Sequence, residues 1–343
     1  MMRTIGIFGK SLVRFVPGGK LIAGTFLIVG LLISSGYGDA TDSFAVVAPK
    51  HNHISVRRNG DGSLKFGPSN SLESYNWSGY ALENFATGQT YTSASASWTV
   101  PKVSFQAPAP TCHPISSWGF SSHVSCFTPS LDTEYTSSWV GIGGICENAS
   151  CTLVDSTLIQ LGTEQEVSAD GATFYYAWYE MLPNAETMIT SPVPCGGQIC
   201  NVPRPVFPGD SITASLACQT NCTSGQNQTW LLTLTDATQK WTFSKTVTYT
   251  STLASVEWIQ EAPSSNAGIL PLADFATVTF NPTYNGSQNP NIPNSGFGSI
   301  GVDAITMVNS YGATSVPSPV ARLDAFSTCW GNNMAYFANC PAP

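Results

Sequence analysis

The stretch YTSASASWTV, residues 91–100, alternates with a period of two. Thr92, Ala94, Ala96, Trp98 and Val100 fall on one side, and Tyr91 followed by serines and threonines on the other. Successive side chains on a strand point to opposite faces, so this pattern predicts a half-buried strand, ended by Pro101, which has no N–H to give to a ladder. Working outward, the same texture predicts strands at 137–142, 156–161, 172–181, 210–217, 229–235, 240–249, 255–261, 274–280, 297–306 and 319–327. No segment predicts a helix of ten residues or more. Many short strands with Gly, Pro, Asn and Ser between them specify an all-β, antiparallel sandwich or barrel. Three loops read as insertions, at 103–136, 184–209 and 282–296.

The charge balance narrows the partners. The 343 residues carry 13 Lys and Arg against 21 Asp and Glu, but from residue 71 onward the count is five against eighteen, a net of −13. Nucleic acids and anionic membranes are bound through clustered Lys and Arg, so neither is an expected partner, and the chain is expected to act as a monomer. With 10% charged residues the sequence is also too poor in charge for a disordered acidic tail or a coiled coil.

The N-terminus reads as an address. Residues 21–33 (LIAGTFLIVGLLI) are apolar, follow a basic segment ending in Lys20, and precede small residues. A membrane span needs about 20 residues and a signal core about 7–15, which predicts a secretory signal over 1–38 with cleavage near 36–40. The polar stretch 39–70 reads as a short propeptide or linker, with Asn59-Gly60-Asp61-Gly62 as a turn. Residues 71–343 form the main domain. Ten cysteines fall into near-neighbour pairs, Cys112/Cys126, Cys146/Cys151, Cys195/Cys200, Cys218/Cys222 and Cys329/Cys340, which predicts five local disulfides and export. Five Asn-x-Ser/Thr sequons, at Asn76, Asn148, Asn221, Asn227 and Asn285, suit a secreted surface.

Elimination limits the chemistry. A Ser or Cys nucleophile needs a histidine base, and the four histidines are His51 and His53 in the N-terminal segment and His113 and His123 in a cysteine-bracketed insertion. There is no Gly-x-Ser-x-Gly, no His-Glu-x-x-His and no pair of Asp-Thr/Ser-Gly turns. Carboxylate chemistry, helped by neutral amides and aromatic rings, is what remains, with no metal and no cofactor required.

Six blocks then carry a resemblance: NWSGY (76–80), SASASWTVP (93–101), SSWVGIGG (137–144), TLIQLG (157–162), YAWYEMLP (176–183) and VEWIQE (256–261). In this order they resemble the glutamic peptidases, the eqolisin family. The resemblance implies an antiparallel β-sandwich of two large packed sheets, of the concanavalin-like jelly-roll type. It also implies a secreted endopeptidase that cleaves polypeptides in acid with a Gln/Glu dyad. By motif the dyad is Gln160 and Glu261, and Trp77, Trp139, Glu164, Trp178 and Glu180 line the substrate groove. Two family acids are missing, since Gly143 and Tyr176 stand where the pattern has Asp.

The chemistry is coherent on its own terms. An ionised Glu261 takes a proton from water attacking the scissile carbonyl and returns it to the leaving amine, while the Gln160 amide donates to the oxyanion. A carboxylate titrating near 4.3 sets the activity in mild acid. Two other classes fit the same residues: a carbohydrate- or peptide-binding sandwich, and a glycosidase using Glu180 and Glu261 as paired carboxylates.

Overall fold

A computed structural model of the chain describes residues 49–106, 111–115, 123–127, 132–285, 302–321, 324–332 and 339–343. The signal reading of 1–38 lies outside them. The sequence alternation is reproduced in burial: on the Ser93–Thr99 strand Ala94, Ala96 and Trp98 are buried and their neighbours are not. The Gln228–Asp236 strand alternates in the same way. Helix is short among the described residues, the segments described in full being a single turn at Asn84–Thr87 and a 3-10 turn at Pro68–Asn70.

Fifteen strands form one sheet, fourteen of them along a single hydrogen-bonded path. One end runs Trp241–Tyr249, Gln228–Asp236, Ser211–Thr220, Ser93–Thr99, and the other runs Trp77–Glu83, Ser255–Glu261, Thr133–Gly143, Leu158–Ser168, Thr173–Met181. The turn between them passes through Thr277–Tyr284, which pairs with Phe326–Gly331 through its first half and with Ser93–Thr99 through its second. The path therefore folds back and its two ends pack face to face. The Trp98 indole donates to Thr163 Oγ1 at 3.1 Å and the Trp258 indole to the Ser95 carbonyl at 2.9 Å, each across the layers. The result is the expected antiparallel sandwich, with the refinement that its layers are continuous through one shared strand. The pairing of Leu72–Ser74 with Val302–Val308 is parallel.

The inter-layer core gathers Tyr80, Val140, Leu161, Ile212, Trp230, Trp258, Phe280 and Phe326. Aromatic side chains bury about 150–250 Å² each, worth about 4–6 kcal/mol apiece before entropy is counted, so these dominate the packing. A second cluster lies on the outer face of the second layer, around Trp77, Trp139, Tyr176, Trp178 and Ile259. It is buried because residues 49–66 lie across it. Lys50 and Ser264 exchange backbone bonds at 2.8 Å, the Ile54 N–H reaches the Gly144 carbonyl at 2.9 Å, and Arg57 pairs with buried Glu73 at 2.6 Å. Within this segment Asp61 closes the 59–62 turn by accepting from the Ser63 hydroxyl and N–H.

Four of the expected disulfides are formed, Cys146–Cys151, Cys195–Cys200, Cys218–Cys222 and Cys329–Cys340. Cys112 and Cys126 stand opposite each other in a hairpin ladder, and their side chains lie outside the described residues. Closed thiol pairs suit an oxidising compartment. The sequon at Asn76 is corrected: its side chain is buried and bonded to His53, Ser55 and Ser74, so it does not present a surface amide. The strand expected at 319–327 forms later, at Phe326–Gly331, because the backbone turns just before it, the Asp324 N–H bonding the Ala321 carbonyl and the Ala321 N–H the Ala325 carbonyl.

Candidate active site

Three cross-strand rows run over the outer face. The first is Glu261, Ser137, Glu164, Tyr176; the second Ile259, Trp139, Gly162, Trp178; the third Glu257, Gly141, Gln160, Glu180. Strand alternation puts all twelve on one side. Gln160 and Glu261 thus share a face, two strands and two rows apart, with the Trp139 indole between them.

Two glycines make the indole's place. A Cβ on Gly162 would meet the Ser138 carbonyl at 2.3 Å and Trp139 Cβ at 2.6 Å, and one on Gly141 would meet Trp139 Cζ3 at 2.9 Å and Gln160 Cβ at 3.2 Å. With both absent, the indole packs against the sheet and its Nε1 donates to Glu261 Oε2 at 2.7 Å. Trp77 packs edge-on against it, centroids 5.0 Å apart. Trp178 donates to Ser137 Oγ at 3.1 Å.

At the centre of the face sits His51, which the sequence reading set aside with the N-terminal segment. Its imidazole stacks on Trp178 at 3.6 Å and 4°. Nδ1 lies 3.0 Å from Glu261 Oε2, and Nε2 lies 3.0 Å from Glu186 Oε2 and 3.9 Å from Glu164 Oε2. The backbone of the same residue is held like a strand partner. Its N–H donates to Glu180 Oε2 at 3.2 Å and its carbonyl accepts from Gln160 Nε2 at 2.7 Å. Gln160 Nε2 also donates to Glu180 Oε2 at 2.8 Å, which fixes the amide plane. The next carbonyl, of Asn52, accepts from Trp77 Nε1 at 3.1 Å. All seven groove residues named from sequence therefore converge on the path of the N-terminal segment.

Burial decides the charges. Desolvation raises Glu261 above the ordinary carboxylate value, opposed by the bonds from His51 and Trp139. Glu180 is pushed up to about 8, and Glu164 well above its usual range, by desolvation in both cases. Desolvation pulls the His51 imidazole down, but the Glu186 and Glu261 carboxylates outweigh it and hold the ring's pKa well above 6.5. Gln160 Oε1 and Glu261 Oε1 are buried with no hydrogen-bond partner among the described residues.

Glu186 was not a sequence candidate, because it lies in a loop between the matching blocks at 176–183 and 256–261. The Tyr176 hydroxyl donates to its Oε1 at 2.8 Å. A carboxylate thus stands beside the position where the family pattern has an acid and this chain has Tyr176. At the other departure, Asp155 Oδ2 lies 3.2 Å from where a Gly143 Cβ would be.

Three comparisons bear on these findings. The model of the Peptidase A4 family matches residues 75–316. Aspergillopepsin-2 of Aspergillus niger is 29% identical over 217 residues, which are 62% of this chain and 65% of that protein. A crystal structure of Scytalido-glutamic peptidase with a peptide based transition state analog aligns over 75% of this chain and 98% of that one, at 18% identity and a TM-score of 0.41.

Proposed function

Because the chain belongs to the Peptidase A4 family, we propose that it is a secreted glutamic endopeptidase that cleaves polypeptides in acid, with Glu261 and Gln160 as its dyad. One observation carries this reading: a peptide group of the chain itself crosses the site, with its carbonyl on Gln160 Nε2 and its side chain on Glu261. A scissile carbonyl held in the same way has the Gln160 amide aimed at the oxygen that becomes negative as water adds. Glu261 Oε2 is anchored by Trp139, which leaves Oε1 to take the water proton and then deliver it to the leaving amine. Glu180, protonated below about 8, holds the other Gln160 N–H and the substrate N–H. The groove's occupant is polypeptide, which supports a peptidase over a glycosidase or a carbohydrate binder.

The same contacts support a precursor in which residues 49–66 shut the groove. Polypeptides in solution cannot reach Gln160 or Glu261 while His51 covers both.

The test is hydrolysis of a denatured protein at about pH 3–5 by the purified full chain, with a pepsin-type inhibitor present. Glu261→Gln and Gln160→Ala each lower the rate by about a hundredfold or more. Inactivity of both the wild type and the groove-opening His51→Ala variant, or either dyad variant cutting as fast as wild type, overturns the assignment.

A further inference from the structure

We propose that Glu186, held by the Tyr176 hydroxyl, is a specificity determinant that makes this site select histidine as the substrate residue whose carbonyl Gln160 receives. The inference rests on the dyad reading above and names the side chain that the dyad's neighbouring pocket takes.

The pocket is built for a flat ring with two donors. Trp178 supplies a face parallel to the imidazole within 4°, at 3.6 Å. Carboxylates stand at the ring's two nitrogens, Glu261 at Nδ1 and Glu186 at Nε2, each at 3.0 Å. Glu164, buried with both oxygens unpartnered, adds a third at 3.9 Å. Further acids on this face are Glu180, below the backbone, Glu166, beside Glu164, and Glu257, in the row of Gln160. No Lys or Arg is bonded to any of the ring's carboxylate partners among the described residues. A lysine ammonium is a compact point charge that cannot stack flat on the indole or span carboxylates placed at opposite ends of a ring, and an aliphatic side chain leaves both carboxylates unpaired in a dry pocket. Histidine is a cation at the acid pH where the dyad works. Because the Trp139 bond and the ring both fall on Glu261 Oε2, the second carboxylate oxygen remains free for chemistry, so this side chain and catalysis are compatible.

The experiment has two readouts on the full chain and its Glu186→Gln variant. In the first, peptides identical except for His, Arg, Lys or Leu before the scissile bond are cleaved at about pH 4 and kcat/KM is compared. The wild type favours His over Leu by about tenfold or more, and Glu186→Gln reduces that ratio to about threefold or less. A wild-type ratio near one, or a ratio unchanged in the variant, overturns the proposal. In the second readout, NMR follows the His51 imidazole through its titration. Its midpoint lies above 6.5 in wild type and falls in Glu186→Gln; an unchanged midpoint overturns the proposal. If neither protein cuts any peptide and His51→Ala is inactive as well, the dyad reading fails, and the titration alone decides the pocket.

Discussion

The His51 imidazole lies parallel to the Trp178 indole at 3.6 Å, 210 residues in sequence from the glutamate that its Nδ1 meets. Cation and ring stack in a site closed to water, and the imidazolium is tied at both nitrogens. This one residue meets both members of the proposed dyad, its ring on Glu261 and its backbone carbonyl on Gln160.

Replacing it opens the groove. His51→Ala removes the stack and both ion pairs while leaving Arg57 on Glu73 and the Ile54 contact in place. The variant is expected to hydrolyse a quenched fluorescent peptide at about pH 5 with an initial rate at least about tenfold above wild type, before either chain is processed. Equal rates from the first seconds would show that the segment does not shut the site.

The parts of this picture that were legible in sequence are those fixed by period. Glu257, Ile259 and Glu261 share one face, and Tyr176, Trp178 and Glu180 another, because alternation along a strand is independent of what the strand packs against; Gln160 and Glu261 as a pair came from the family blocks in which they sit. Trp139 illustrates the limit. Aromatic strand residues ordinarily fill cores, as Trp258 does, and Trp139 escapes that role because Gly141 and Gly162 clear a bed for it on the outer face. That reason is a register across three strands and is invisible in any one of them. His51 and Glu186 were out of reach for a different cause. Both lie in polar segments without period, where nothing local says which face the chain will cross.

Gly162 offers a direct test of that bed. In Gly162→Ala the new methyl meets the Ser138 backbone carbonyl and Trp139 Cβ, neither of which can swing away. Overpacking of this kind costs about 1–3 kcal/mol, read as a lower urea midpoint at unchanged m-value. Peptidase activity is expected to fall by more than the unfolded fraction explains, because the displaced indole loses its bond to Glu261. Wild-type stability would remove the argument for the glycine.

Trp139→Phe separates packing from charge. The ring stays, but the N–H that donates to Glu261 Oε2 at 2.7 Å is lost. That bond favours the ionised carboxylate, so its loss raises the Glu261 pKa further. A hydrogen bond to a charged group is worth about 1.5–3 kcal/mol, or about one to two pH units. The acid limb of the kcat/KM profile therefore moves to higher pH by about one unit. An unmoved limb would mean that Glu261 is not the base whose ionisation that limb reports.

Stability against pH follows from the same buried acids. Glu166 and Glu180 are pushed up to about 8 by desolvation, from 4.5 in the unfolded chain. Between those values the folded protein keeps protons that the unfolded chain has released, so stability falls as pH rises. Desolvation raises Glu164 and Glu261 as well, which gives the same sign. His51 adds to it: its pKa is raised in the fold, so its contribution is complete below 6.5 and is lost as pH climbs through the folded value. Among the described residues, every shift resolved on this face has that sign. The melting temperature is expected to be highest near pH 4.5 and to drop by roughly 5 °C or more by about pH 8. In Glu180→Gln, which cannot ionise, the drop is smaller because one of the buried carboxylates no longer titrates. Scanning calorimetry across that range, with the two proteins compared at each pH, checks the sign. A melting temperature that rises toward neutral pH would mean that these carboxylates are ionised and paired in the fold, and the protonated role given to Glu180 would fall with it.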